Sequence, residues 1–373
     1  WGRAGNIGES KREIQEIQGI NGEIEMATIY TKEEVLEATL AYFNGNDLAA
    51  NVWITKYALK NEKGEFLEKT PDDMHHRLAK EFARIETKFG GENALSEERI
   101  YGELKGFRKI CGQGSPMAGI GNPANVSLSN CVTISKPDDN ISSIMESGKR
   151  LANLFKRRMG CGLDISDLRP EGAPVNNAAK TSTGAWSFSE YFSTISGLIG
   201  AEGRRAALMI TMDIEHPDSA KFATMKNDLT KVTGANVSLK ITDVFMKAVE
   251  DDTDFELRWP TSGVPKITKT IKARDLWNTI IESATKTGEP GIIMIDTMRK
   301  WLPANEYWLH HTTNPCSELA ISGPKHPLTG KETGDSCRLM AINLSSFVLE
   351  PFTEKANFDF SSFKSSASIM ARL

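Results

Sequence analysis

Three cysteines and one glutamate are spaced so that they could act on one small molecule. Cys316 and Glu318 lie two apart in Asn314-Pro315-Cys316-Ser317-Glu318, and Cys337 follows 21 residues after Cys316 in Ser336-Cys337-Arg338-Leu339, ahead of Asn343-Leu344. In an extended segment, residues two apart leave the backbone on the same face, so this thiol and carboxylate can reach a common substrate. Cys131, in Ser127-Leu128-Ser129-Asn130-Cys131, adds a third thiol from far upstream. A carboxylate can act as a general base, and two thiols that close to a disulfide release two electrons. A lone cysteine is more often a small buried apolar residue than a reactive one, and Cys111 and Cys161 keep that reading. Zinc is excluded by spacing, because the five cysteines are separated by 20, 30, 155 and 21 positions and form no C-x₂₋₄-C pair.

Composition bounds what must hold these groups in place. With 373 residues, 39% of them apolar, the chain can bury a large core as two domains or one large α/β domain. The net charge of −4 and the absence of a Lys/Arg run argue against nucleic-acid binding. No signal-peptide pattern and no long apolar run point to a membrane. An odd number of dispersed cysteines suits a cytoplasmic protein whose thiols stay reduced outside catalysis.

The elements follow from pattern. Residues 1–25 are polar and Gly-rich and read as a disordered leader or fusion scar ahead of a candidate start at Met26. A helical region is expected over 26–105. Within it, Thr31-Lys32-Glu33-Glu34 fits a capping box, and Thr70-Pro71-Asp72-Asp73 starts a packed helix over 74–87. Gly112-Gln113-Gly114-Ser115-Pro116-Met117 is a Gly-rich loop, followed by a strand with Cys131, Val132 and Ile134; together they are a candidate wall of the substrate site. Apolar residues at helical spacing predict helices over 141–159 (Ile144, Met145, Ala152, Phe155) and 185–199 (Trp186, Tyr191, Ile195, Leu198). Strand-like runs at 206–212, 237–241, 255–259 and 291–295 alternate with helical segments at 217–227, 242–250 and 273–286. This order argues an α/β architecture with a largely parallel sheet. Residues 362–373 read as a helix cut in mid-pattern.

The three cysteine segments, in this order and with these flanking residues, resemble the active site of ribonucleotide reductase catalytic subunits, and the resemblance covers about 45–373. It implies that 106–373 form the N-terminal part of a ten-stranded α/β barrel, with Cys316 on a finger loop inside it. It also implies the chemistry, replacement of the 2′-hydroxyl of a ribonucleoside di- or triphosphate by hydrogen. Cys316 would carry a thiyl radical that takes and returns the 3′-hydrogen. Glu318 would be the base for the 3′-hydroxyl, with Asn314 as its hydrogen-bonding neighbour, and Cys131 and Cys337 would be the redox pair, re-reduced by a thioredoxin-type partner. Ser115, Asn130, Cys161 and Gly162 match positions lining the substrate phosphate or ribose, where small residues let the backbone approach closely.

The same resemblance implies control by a nucleotide effector, a dNTP or ATP. Asp138 matches an acidic effector contact, Arg169 in Asp167-Leu168-Arg169-Pro170 matches a basic residue of a first specificity loop, and Lys231 falls in a second loop, 226–236, with the mixed polarity of a mobile connector. Asn176 stands where the family has a further basic residue. The predicted helices over 141–159 and 185–199 would pair with their copies in a homodimer. Asp213-Ile214-Glu215-His216-Pro217-Asp218 and the short leader look most like the adenosylcobalamin-dependent class II enzymes; the alternative is class I, with a separate dimetal radical subunit. The chain ends soon after the finger loop, so a second polypeptide carrying the C-terminal half of the barrel is expected, unless the sequence is truncated. A non-catalytic, nucleotide-binding regulatory fragment is the competing reading, against which stand the three retained thiols and Glu318. A glycyl-radical enzyme, with its glycine beyond residue 373, is a further alternative.

Overall fold

Alternation along five short segments builds the central sheet. In Cys131–Thr133, Gly160–Asp164, Leu208–Asp213, Asn236–Ile241 and Gly291–Met294, one set of alternate residues is apolar and the other is small or polar, apart from Met209 and Ile293. The structure, a computed structural model, describes residues 14–18, 24–200, 206–302, 311–321 and 336–373. The five strands lie side by side in chain order, all parallel, and Ser336–Cys337 adds an antiparallel strand beside Cys131–Thr133.

Parallel neighbours need crossover connections, and helices supply them. Ile144, Leu151 and Phe155 of helix Ile141–Phe155, Phe192 of Phe188–Leu198, Phe222 of Ser219–Thr224, Phe245 of Asp243–Asp251 and Ile280 of Ala273–Thr287 form one buried cluster. The residues of the central sheet in that cluster are Cys161, Leu163, Leu208, Ile210, Met212, Val237, Leu239 and Ile241, all from the apolar alternate set. The helices therefore pack on one face of the sheet. This architecture, a parallel-rich α/β sheet, is the one expected.

One predicted strand lies elsewhere. Asp254–Trp259 pairs antiparallel with Ile267–Lys272 in a separate two-stranded ribbon. Its residues alternate between exposed and buried, the pattern of a strand with one wet face rather than one buried within a parallel sheet.

The sheet and its helices form one compact unit, Ser129–Cys337; the chain before it, to Leu128, and Arg338–Leu373 after it form another. This division differs from the expected boundary at 105/106. Residues 106–128 belong with the helical unit because Ile110–Gly112 pairs with Met340–Ile342, giving that unit a strand from each end of the chain. Its core gathers Val35, Trp53, Met74, Leu78, Ile100, Leu104 and Ile369. Helix Lys32–Tyr42 begins with the expected capping box, Glu34 N–H on Thr31 Oγ1 at 3.2 Å and Thr31 N–H on Glu34 Oε2 at 2.9 Å. Helix Pro71–Phe89 begins with Pro71, and Thr70 N–H donates to Asp73 Oδ2 at 2.9 Å. The Gly-rich segment contributes the end of a strand and the start of a short helix, Ser115–Gly119, rather than a long loop. In the predicted leader, Ile14–Gln18 pairs antiparallel with Ile24–Thr28, so part of it has regular structure. Residues 360–370 are helical, close to the expected span. Among the described residues, no helix is long and apolar enough to cross a membrane.

Candidate active site

The face of the sheet opposite the helices is chemically distinct. Because side chains alternate along a strand, it presents Cys131 and Thr133, Gly160, Gly162 and Asp164, Met209, Thr211 and Asp213, then Ser238 and Lys240. Residues 311–321 cross it. Thr211 Oγ1 donates to Thr312 Oγ1 at 3.0 Å, and Thr133 Oγ1 donates to the Ile321 carbonyl at 3.2 Å. Two glycines make the close approach possible: a Cβ on Gly162 would lie 1.8 Å from the Thr313 carbonyl oxygen, and one on Gly160 would lie 2.8 Å from Pro315 Cγ.

The loop closes on itself at Asn314. Thr313 bridges Ala320, Asn314 N–H donates to Leu319 O at 3.1 Å, and Leu319 N–H donates to Asn314 Oδ1 at 3.0 Å. Ser317, at φ 68°, turns the tip, and its N–H donates to Asn314 O at 3.0 Å. The side chain of Asn314 thus holds the loop through its oxygen. Among the described residues its buried Nδ2 has no hydrogen-bond partner, which is costly unless another group supplies an acceptor. Cys316 and Glu318 stand exposed at the tip.

The structure brings the other two thiols to the same face. Cys131 and Cys337 are directly opposed across the antiparallel pair, where Cα atoms lie about 4.5–5.5 Å apart and side chains share a face. Both are buried, and all five cysteines are thiols. Asn130 N–H donates to Cys337 O at 2.8 Å and Asn130 O accepts from Gly160 N–H at 2.7 Å, so Asn130 joins three strands at this point. Gly160 is at once the neighbour of Cys131 in the sheet and the seat of Pro315, which precedes Cys316.

Two candidate substrate contacts stand differently. Cys161 points to the helix-side core, and its N–H donates to Ala207 O at 2.8 Å; burial pushes its thiol up. Gly162 faces the site, with the Thr313 carbonyl occupying the room its missing side chain leaves. Ser115 is buried at the start of its short helix in the other unit. Glu318 has no hydrogen bond or ion pair to Asn314 among the described residues.

A charged cluster on the loop-side face went unrecognised in the sequence. Lys240, fully buried, contacts Asp164 and lies 2.8 Å from Asp213 Oδ1. Lys136 Nζ lies 3.0 Å from Asp167 Oδ1 and 3.9 Å from Asp164 Oδ2. Asp164 Oδ1 accepts from Ser166 Oγ at 2.6 Å, Ser166 Oγ accepts from Asp213 N–H at 2.8 Å, and Asp213 Oδ2 accepts from Thr261 Oγ1 at 2.9 Å. Burial works to raise the Asp213 carboxyl, but Lys240 and Lys136 outweigh it and hold the group well below the usual range. Burial likewise works against the Lys136 charge, and Asp164, Asp213 and Asp167 reverse that and push its pKa up. The available signal was a charged residue ending each of two alternating strands and a lysine near the end of a third.

Of the candidate effector residues, Asp138 and Arg169 lie past the ends of strands Cys131–Thr133 and Gly160–Asp164, whereas Lys231 lies ahead of strand Asn236–Ile241. Arg169 pairs with Asp139, Nε to Oδ2 at 2.8 Å, beside exposed Asp138. Its loop is anchored by the Asp213–Asp218 motif: His216 Nε2 lies 2.9 Å from Leu168 O, and Asp218 accepts from Glu171 N–H at 3.1 Å and from Ala185 N–H at 2.9 Å. The second loop is more constrained than its polarity predicted. Glu190 accepts from Val232 N–H at 2.8 Å, Ser193 Oγ accepts from Gly234 N–H at 2.9 Å, and Lys226 donates to Ala235 O at 2.7 Å. Lys231 is exposed on it.

Residues 129–373 match the family model described as the ribonucleotide reductase barrel domain, and residues 43–117 match the one described as its all-alpha domain. The chain is 34% identical over 59% of its length to a vitamin B12-dependent ribonucleoside-diphosphate reductase of Thermoplasma acidophilum. It is 30% identical over 80% of its length to one of Mycobacterium tuberculosis, and 26% identical over 66% to a ribonucleoside-diphosphate reductase large subunit of Variola virus. It spans 27%, 41% and 34% of those proteins respectively.

Proposed function

Because the chain belongs to the ribonucleotide reductase family, we propose that it is the radical-bearing and redox part of a reductase completed by further polypeptide, converting ribonucleotides to 2′-deoxyribonucleotides. The observation that carries this is the direct opposition of Cys131 and Cys337 on the face crossed by the Cys316 loop. In the reaction the 2′-hydroxyl leaves as water, a hydrogen replaces it, and the Cys131 and Cys337 thiols give up two electrons and two protons as they form a disulfide. Cys316 takes and returns the 3′-hydrogen, Glu318 accepts the 3′-hydroxyl proton, and Asn314 Nδ2, without a partner among the described residues, donates to a substrate oxygen. Cys316 is the exposed thiol of the three, so a radical source can reach it while the redox pair stays sheltered.

Adenosylcobalamin, which the names of two of these relatives support, supplies the radical when bound. The residue this chain offers toward the cofactor is Cys316, the exposed thiol at the loop tip. The nucleotide effector would be held near Asp138, Arg169 and Lys231. Helices Ile141–Phe155 and Phe188–Leu198 leave Ile141, Met145 and Leu198 exposed, the apolar surface a homodimer would cover.

The test is a single turnover of the completed enzyme without external reductant. Deoxyribonucleotide and a Cys131–Cys337 disulfide should appear in equal amounts, with the disulfide read by peptide mass spectrometry. Product formed while Cys131 and Cys337 remain thiols would overturn the assignment. Restoration of turnover by a dimetal subunit instead of cobalamin would keep the reaction and change the radical source.

A further inference from the structure

Burying a lysine between two carboxylates is expensive, and a well-packed apolar set would often be as stable, so the location of such a cluster is informative. Lys240 is 1% exposed and Asp164 is 0% exposed. The cluster ties the ends of three adjacent strands, through Asp164, Asp213 and Lys240. It lies on the loop-side face, one alternate position beyond the residues that seat the loop. Thr211, which donates to Thr312, is two residues before Asp213, and Gly162, which receives the Thr313 carbonyl, is two residues before Asp164. The loop root lies within electrostatic range of the cluster, since the His311 imidazole, 7% exposed, helps lower the Asp164 carboxyl.

We propose that Lys240 is a positioning residue for the loop carrying Cys316: by holding Asp164 and Asp213 together it fixes the surface on which His311, Thr312 and Thr313 rest. The inference rests on the reading of Cys316 given above. Lys240 touches no reacting atom. It supplies the only fully buried cation among the described residues of this face, and it bonds to two carboxylates on neighbouring strands, Asp213 lying two residues beyond the Thr211 that is opposite Asp164. Without it, the more distant Lys136, 3.9 Å from Asp164 Oδ2, alone offsets the two carboxylates, which must separate, protonate or draw in water, and each response moves a strand end beneath the loop root. A thiol that must meet a ribose 3′-hydrogen tolerates little displacement, so the expected kinetic mark is a fall in kcat with KM unchanged.

Hydrogen exchange on the 373-residue chain separates positioning from general support. In Lys240→Met, amides of 312–320 should exchange faster by roughly tenfold or more, while those of 209–212 stay within about twofold. The variant Lys240→Met/Asp164→Asn leaves less uncompensated charge and should show the same selective loosening, so poor folding of the first variant does not end the test. Lys240→Arg should restore protection, because it keeps the cation. Unchanged exchange over 312–320 in both Met variants would overturn the proposal, as would equal acceleration of the loop and the strands. The readout needs no catalysis: a completed enzyme in which Cys316→Ser still reduces nucleotides would remove the function read for Cys316, while the exchange result would still report what Lys240 holds.

Discussion

The two faces of the parallel sheet are made by the same strands and do opposite jobs. Toward the helices the strands send Leu163, Ile210, Met212, Leu239 and Ile241 into a continuous apolar core. Toward the loop they send Cys131, Thr133, Gly160, Gly162, Asp164, Thr211, Asp213 and Lys240. A parallel sheet covered on both sides ordinarily has apolar residues on both. Here one face pays for stability, and the other gives up apolar burial to seat a loop and present thiols. The pair of cysteines at adjacent positions in neighbouring strands makes the contrast sharp: Cys131 faces the loop and Cys161 faces the helices.

The largest expected effect separates these thiols by function. Cys316→Ser should abolish nucleotide reduction in the completed enzyme while leaving nucleotide binding largely intact, because an alcohol cannot supply the accessible radical. Cys161→Ser should instead cost about 1–3 kcal/mol of stability by burying a hydroxyl, with turnover retained below the unfolding transition. Deoxynucleotide formation measured beside binding and melting decides the matter. A Cys316→Ser enzyme turning over at the normal rate would erase the distinction between the faces.

Next in size is the carboxylate at the loop tip. Glu318→Gln keeps the shape and removes the base, so kcat should fall by about 10² to 10⁴ with binding little changed. Glu318 is exposed, so calorimetry should show no change in melting temperature for this variant. A rate loss below about threefold would make Glu318 a surface residue and leave the loop with one chemical group instead of two.

Much of this contrast was legible in the chain, and what was not has a physical cause. The cysteine segments, the capping residues Thr31 and Thr70 and the strand-helix alternation are local signals; the caps start their helices as their patterns placed them, and of the alternating strands Asp254–Trp259 lies outside the parallel sheet. The direction of Cys161 follows from strand alternation alone once Gly160 and Gly162 are recognised as facing the loop. The Lys240 cluster was not foreseen, because its members are separated by up to 104 positions and meet only through the sheet register. The pairing of Ile110–Gly112 with Met340–Ile342 is equally non-local, and local pattern carries no trace of the division between Leu128 and Ser129. The anchoring of the 226–236 loop depends on Glu190 and Ser193 of a distant helix, and loop composition carries no trace of it.

A matched pair of truncation and insertion sharpens the comparison at smaller scale. Ile210→Ala opens a cavity in the helix-side core and should cost about 2–5 kcal/mol, with kcat near normal in the molecules that remain folded. Gly162→Ala puts a methyl where the Thr313 carbonyl now sits and should cost about 1–3 kcal/mol, yet lower kcat more, because the loop must lift. Denaturant midpoints and turnover measured on both variants should rank them in opposite orders. The same ranking in both assays would mean that the loop-side face contributes to function only through stability.

The smallest effect concerns how the two faces answer to pH. On the loop side, Asp213 is held below its ordinary value of 3.8, so its contribution is present above that value and is lost as pH falls through the depressed one. On the helix side the sign is reversed. Burial raises the Cys161 thiol above its ordinary value of 9.0, so the folded state keeps a proton that the unfolded chain releases. Its contribution is therefore complete below pH 9.0 and declines as pH rises, by about 1.4 kcal/mol per unit while the folded thiol stays protonated. Cys161→Ala removes this group and leaves every other titrating residue in place, so the difference between the two proteins isolates it. Urea midpoints taken at about pH 8 and about pH 10 should converge, the wild type losing more of its stability than the variant. Parallel loss in both proteins would show that the Cys161 side chain reaches water, and the dry core assigned to the helix-side face would have to be given up.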